Sequence, residues 1–158
     1  VITLADSLRL IASGIALGVG SIGPIIGLAS FAHTACEAIG INRQAYGPVL
    51  SFTFISQAII ESPVIFAFIV SVILLFVVEL PHDDMLSGIR MLAAGLCAGI
   101  GTIGTGISSG KTAARACQTL ASKPSLYDAL LRTSLVAQGI IETSAIYALL
   151  IASFLLFL

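Results

Sequence analysis

Residues 49–78 read VLSFTFISQAIIESPVIFAFIVSVILLFVV, an apolar run that holds a single charged side chain, Glu61. A run of about 20 apolar residues or more is long enough to cross the hydrocarbon core of a bilayer. A charge in the middle of such a span costs roughly 2.5–3.5 kcal/mol on insertion scales, so by default it marks function. The pattern returns at residues 137–147, AQGIIETSAIY, where Glu142 stands 81 positions after Glu61 in the same setting.

Composition agrees with a membrane protein. Of 158 residues, 58% are hydrophobic and 9% charged, and the mean hydropathy is +1.10. A soluble domain carries about 25% charged residues, so this chain lacks the means to build a water-facing surface. Four apolar segments are long enough to span. A net charge of −1 and a pI near 6.1 offer no basic face for nucleic acid. Cys36, Cys97 and Cys117 are odd in number, lie in apolar helical pattern and form no Cys-x-x-Cys or Cys/His cluster. They read as small buried residues rather than disulfides or metal ligands. The first apolar segment is too long for a signal peptide, lacks an Ala-x-Ala pattern and recurs later, which assigns it to the mature fold.

Shifting the sequence by 81 positions aligns its halves without a gap. Arg9 falls on Arg90, Gly14 on Gly95, Gly18 on Gly99, Gly20 on Gly101 and Gly23 on Gly104; Cys36 meets Cys117, Tyr46 meets Tyr127, and Gln57 meets Gln138. This is a tandem repeat. Each copy predicts two helices, over residues 4–39 and 47–78 and again over 86–120 and 126–158, with breaks at 40–48, 79–88 and 121–125 where Gly, Pro, Asn and charge cluster. The expected fold is an all-α membrane protein of four transmembrane helices, arranged as two tandem hairpins that assemble into a double-layered ring. The boundaries are residues 1–79 for the first hairpin, 80–88 for a connecting loop on the non-cytoplasmic side, and 89–158 for the second hairpin.

Orientation follows from parity and charge. A two-helix unit returns the chain to its starting side, so the copies are parallel rather than inverted. Arg43, Lys111, Arg115, Lys123 and Arg132 lie at or toward the loops within the repeats, whereas the connecting loop holds Glu79, Asp83 and Asp84. Positive residues favour the cytoplasm, which puts the intra-repeat loops there and both termini outside.

The odd helices are rich in small residues, SGIALGVGSIGPIIG (13–27) and AGLCAGIGTIGTG (94–106), and the even helices are rich in Phe and Leu. Gly14/Gly18, Gly23/Gly27 and Gly95/Gly99 are GxxxG pairs that allow close helix approach in lipid. Slim and bulky helices suit an inner and an outer ring. No basic residue sits at the depth of either carboxylate, so a structural ion pair is not available to them. A carboxyl facing lipid is protonated or cation-bound and ionises only beside a positive group or water. Gln57 and Gln138 lie one turn before the carboxylates on the same face, and Ser62 and Thr143 follow them directly. Pro63 removes the N–H that would bond the Ile59 carbonyl, which makes that oxygen a candidate ligand; Ser144 takes the place of Pro63 in the second copy.

The segments GSIGPIIG, CEAIG and QAIIES, with GTIGTGISSGK, SKP and AQGIIETSAIYALL, resemble the rotor-ring c subunit (proteolipid) of F-type ATP synthases in a tandem-duplicated form. The resemblance covers nearly the whole chain. It implies a homo-oligomeric ring in membrane lipid, a stator a subunit that presents an arginine, and central stalk subunits that meet the polar loops. It also implies that Glu61 and Glu142 carry H⁺ or Na⁺, that the chain is not catalytic alone, and that it needs no organic cofactor. The family's Arg-Gln-Pro loop motif aligns with Ser122-Lys123-Pro124 and Ile41-Asn42-Arg43, with Gln44 adjacent, and both copies depart from it. Sodium-binding members pair Glu-Ser/Thr with an inner-helix glutamine; here that position is Leu28 in one copy and Ser109 in the other. H⁺ is therefore favoured, with Na⁺ at Glu61 and Glu142 the alternative should Gln57 and Gln138 turn inward.

Vacuolar-type proteolipids are similar in size but typically keep one carboxylate per four helices. Two per chain favours a synthase over a vacuolar-type ion-pumping ATPase. A stand-alone proton-coupled small transporter is disfavoured by the absence of Trp, the parallel halves and the continuous glycine packing. A tetraspan scaffold leaves both carboxylates without a purpose.

Overall fold

The computed structural model describes residues 4–77 and 85–157, and four long helices account for nearly all of them. They are α1 (Leu4–Ile41), α2 (Tyr46–Phe76), α3 (Met85–Ser122) and α4 (Tyr127–Phe157), with 3₁₀ turns at Arg43–Ala45 and Pro124–Leu126. There is no strand among the described residues. All four helices are long and apolar enough to cross a membrane. The connecting segment with Glu79, Asp83 and Asp84, the first boundary at residue 79 and the helix end at Leu158 lie outside the described residues.

Helix lengths repeat with the sequence: 38 and 31 residues in the first copy, 38 and 31 in the second. At 1.5 Å per residue the longer pair exceeds a hydrocarbon core of about 30 Å by a wide margin. Each hairpin turns through one 3₁₀ turn, and the two turns lie at the same end. Asn42 ties them: its side chain accepts from the Gln44 N–H (3.0 Å) and donates to the Ala121 carbonyl (3.0 Å).

The tightest packing joins α1 to α3. A Cβ on Gly23 would overlap the Ile103 backbone, one on Gly106 would overlap Pro24, and one on Gly110 would overlap Gly27. These positions have to be glycine because two backbones meet there. Pro24 cannot bond the carbonyl of Gly20 four residues back, and the Thr102 hydroxyl lies 3.1 Å from that oxygen across the helix pair. Helix α2 packs on both α1 and α3, whereas α4 packs on α3 and α2. The most apolar window of α4 is only 11% buried, against 33–39% in the other three helices. One flank of α4 therefore stands open.

Two apolar clusters hold the layers together. Toward the turns, Phe31 meets Phe52 edge-on at 6.0 Å, with Val49, Cys117 and Leu120 around them. Toward the termini, Ala12, Ala16, Val70, Leu74, Met91 and Ala94 form the second. Cys117 is fully buried, Cys97 is half-buried and Cys36 is exposed. The expectation of three buried cysteines fails at Cys36. Cys36 occupies on α1 the repeat position of Cys117, but no third inner helix in the chain covers that face.

Candidate functional site

Between the two apolar clusters stand both carboxylates, and polar groups gather around Glu142. Glu142 on α4 accepts a hydrogen bond from the Ser62 hydroxyl of α2, across the repeat boundary. The same hydroxyl lies 2.8 Å from the Ile59 carbonyl that Pro63 releases. Ser62 follows Glu61 in sequence yet serves the other carboxylate, because consecutive helix residues diverge by about 100° around the axis. The carboxylate of one hairpin thus meets the hydroxyl of its neighbour.

Behind Glu142, a buried amide is held by hydrogen bonds from two helices. Gln138 is wholly buried; its carbonyl accepts from Ser109 Oγ on α3 (3.1 Å), and its amide donates to Ser134 Oγ (2.8 Å). A buried amide would be costly without partners, and Ser109 and Ser134 supply them. Ser134 escaped the sequence reading, although its spacing of four from Gln138 and eight from Glu142 puts it on the same helix face. Thr143 is exposed and bonds the carbonyl of Ile140 at 2.8 Å, and Ser144 bonds that of Ile141 at 3.1 Å.

The Glu61 setting differs. Its side chain is exposed, and it borders an apolar cavity of about 300 Å³ lined by Pro24, Ile25, Leu28, Val64 and Ile65, with Ser21 at one edge. Leu28 stands where Ser109 stands in the other copy, so Gln57, half-buried, lacks the inner-helix hydroxyl that holds Gln138. The repeat also points to what would complete this station. Ser62 corresponds to Thr143, so the counterpart of the Ser62–Glu142 bond would pair Thr143 with Glu61. At the turn end, Arg43, Gln44 and Lys123 are exposed and Pro124 half-buried, while Asn42 is engaged in joining the turns.

Ser109→Ala should strand the Gln138 carbonyl at a modest cost. Interhelical hydrogen bonds in membranes average about 0.6 kcal/mol and reach about 1.7. For a chain of this size, that lowers the melting midpoint by about 2–4 °C per kcal/mol, readable by circular dichroism in detergent; an unchanged midpoint would show the bond to be idle.

Residues 92–155 match the family model of the ATP synthase c subunit. The c subunit of the ATP synthase of Dehalococcoides mccartyi (strain BAV1) is 41% identical over 73 residues, covering 96% of that protein and 46% of this chain. Its counterpart in Thermotoga petrophila is 42% identical over 67 residues, covering 79% of that protein and 42% of this chain. The chloroplastic ATP synthase c subunit of Antithamnion is 36% identical over 75 residues, covering 92% of that protein and 48% of this chain. Each relative is matched over most of its own length by less than half of this chain, as a two-copy sequence requires.

Proposed function

Because this chain belongs to the family of ATP synthase c subunits, we propose that it is one segment of a membrane rotor ring whose mid-membrane glutamates, Glu61 and Glu142, carry ions past a stator. The observation that carries this reading is the Ser62–Glu142 hydrogen bond. It is a contact between successive hairpins, and it leaves its two counterparts, Glu61 and Thr143, exposed and unmatched on the chain. A patch that pairs with a different patch on the next copy is a heterologous interface, which closes into a ring when its rotation permits. The same incompleteness recurs in the inner layer. Gly14 and Gly18 have open space beyond them, whereas their counterparts Gly95 and Gly99 pack against α1. The outer helix α4 has an open flank of the kind that the α1 of a following chain would cover.

The ion is H⁺ on this reading. A sodium ion needs several oxygen ligands, and Leu28 offers none to the Glu61 station. The stator partner is an a subunit with an arginine, and the central stalk meets the exposed turn residues Arg43, Gln44, Lys123 and Pro124. These turns face the cytoplasm, in a bacterial plasma membrane. The two carboxylates per chain fit synthesis of ATP from a modest gradient.

The test is carbodiimide modification of the detergent-purified protein, followed by mass mapping of Glu61 and Glu142. Both should be labelled, in an oligomer much larger than a dimer that resists SDS. Labelling should be indifferent to sodium. Protection of either glutamate by sodium would move the assignment to a Na⁺ ring, and a monomer or dimer would sink the rotor.

A further inference from the structure

We infer that successive copies of this chain are locked by an ion pair between Arg115 of one copy and Glu37 of the next, at the turn end of the inner helices. The inference rests on the proposed ring and adds to it a specific electrostatic contact between chains. Within one chain, a cavity of about 250 Å³ between α1 and α3 is lined by Thr34, Glu37, Ala38 and Ile41 from α1 and by Gln118, Ala121 and Ser122 from α3. Thr34 and Gln118 therefore border the same space from opposite helices, with Glu37 beside Thr34 on the α1 side.

The junction between chains repeats that geometry with the roles advanced by one copy. The α3 of one chain takes the place of α1, and the α1 of the next takes the place of α3. Under the 81-residue shift, Thr34 becomes Arg115 and Gln118 becomes Glu37. A neutral hydroxyl and amide inside the chain are thus replaced, between chains, by a guanidinium and a carboxylate with long side chains that reach across the same space. Their present contacts are local ones. Arg115 donates to Gln118 at 3.1 Å, and Glu37 stands 3.7 Å from His33, both partners being on the same helix. Both charged residues are exposed. An unlike pair in a heterologous seam sets register and direction as well as adding attraction, and it excludes the mirror order in which two α1 faces meet.

The neighbouring seam positions agree with this docking. Cys36 and Gly18 are open in the single chain, and their counterparts Cys117 and Gly99 are packed in its α1–α3 interface. Each position waiting on the outer face of α1 matches one already covered on α3.

A charge-swap series in the full chain tests the pair. Glu37→Arg and Arg115→Glu each put like charges face to face, and the combined variant restores an unlike pair with reversed polarity. The readout is the fraction of purified protein that survives as the ring after graded heating in SDS. Exposed pairs are worth about 0.2–1 kcal/mol, so each single swap should shift the assembly equilibrium at every seam by about 1.4- to fivefold, and the double swap should recover most of it. High salt should shrink the difference between wild type and the single swaps. Singles that match wild type, or a double swap no better than the singles, would overturn the pair while leaving the ring intact. A wild-type protein that forms no ring would instead overturn the rotor reading on which the pair rests.

Discussion

Replacing either mid-membrane glutamate by glutamine should stop ATP synthesis, although the other glutamate of the same chain remains. Glu142→Gln preserves size and can still accept from Ser62, so the four helices should assemble as before. On the proposed mechanism, what it removes is the charge that forms when the station reaches the stator arginine implied by the family. A neutral station passing that point leaves the arginine without a counterion in the membrane, at roughly 2.5–3.5 kcal/mol. Such an increment on the barrier slows turning about 100-fold. Every second station around the ring carries the change, so no rotation avoids it. Glu61→Gln should behave alike. The check is ATP synthesis in vesicles energised by an imposed pH gradient, with the amount of assembled ring measured on the same preparation. A variant that assembles fully and keeps half its rate would show that one glutamate per chain is enough.

The second large effect belongs to the α1–α3 seam and separates folding of the chain from assembly of the ring. At Gly110 even a methyl group would run into the backbone of Gly27, so Gly110→Val should force α1 and α3 apart. Overpacking a tight core costs about 1–3 kcal/mol, and here the obstructing atoms are backbone rather than a side chain that could turn away. The chain itself should lose stability and accumulate poorly in the membrane. Ala29 is the repeat counterpart of Gly110 and is exposed in the single chain. Ala29→Val should leave the four-helix unit unaltered by circular dichroism in detergent and reduce only the yield of the ring. If α1 has no partner beyond α3, Ala29→Val leaves the oligomer yield as it is in the unaltered chain, and that result would count against the ring.

Gly110 and Ala29 also differ in how near they let two helices come. The close approach within the chain uses Gly27, Gly106 and Gly110, whereas the repeat places Ser108, Ile25 and Ala29 at the corresponding seam between chains. Backbones that meet over glycine cannot come equally close over isoleucine. The inner layer of the ring should then alternate between a tight spacing within chains and a wider one between them.

Several features were legible in the sequence because they follow from chemistry that acts locally or from the repeat itself. Apolar runs of spanning length, broken by Gly, Pro and charge, defined four helices close to their observed limits. The 81-residue shift defined two repeated hairpins, and isolated carboxylates in those runs made Glu61 and Glu142 the candidates. What the sequence could not assign was which groups meet. Ser62 stands beside Glu61 in the chain but bonds Glu142, because side chains one residue apart leave the helix in different directions and the neighbour is chosen by how hairpins pack. Ser134, Ser109 and Gln138 form one hydrogen-bonded group only because α3 and α4 press together at that depth. Leu28 removes a polar ligand from the Glu61 station by composition, but that Glu61 stands exposed beside an apolar cavity became visible only in the packed helices. Hydropathy and repetition determined what the helices are; the close approach of glycine backbones decided which side chains share a site.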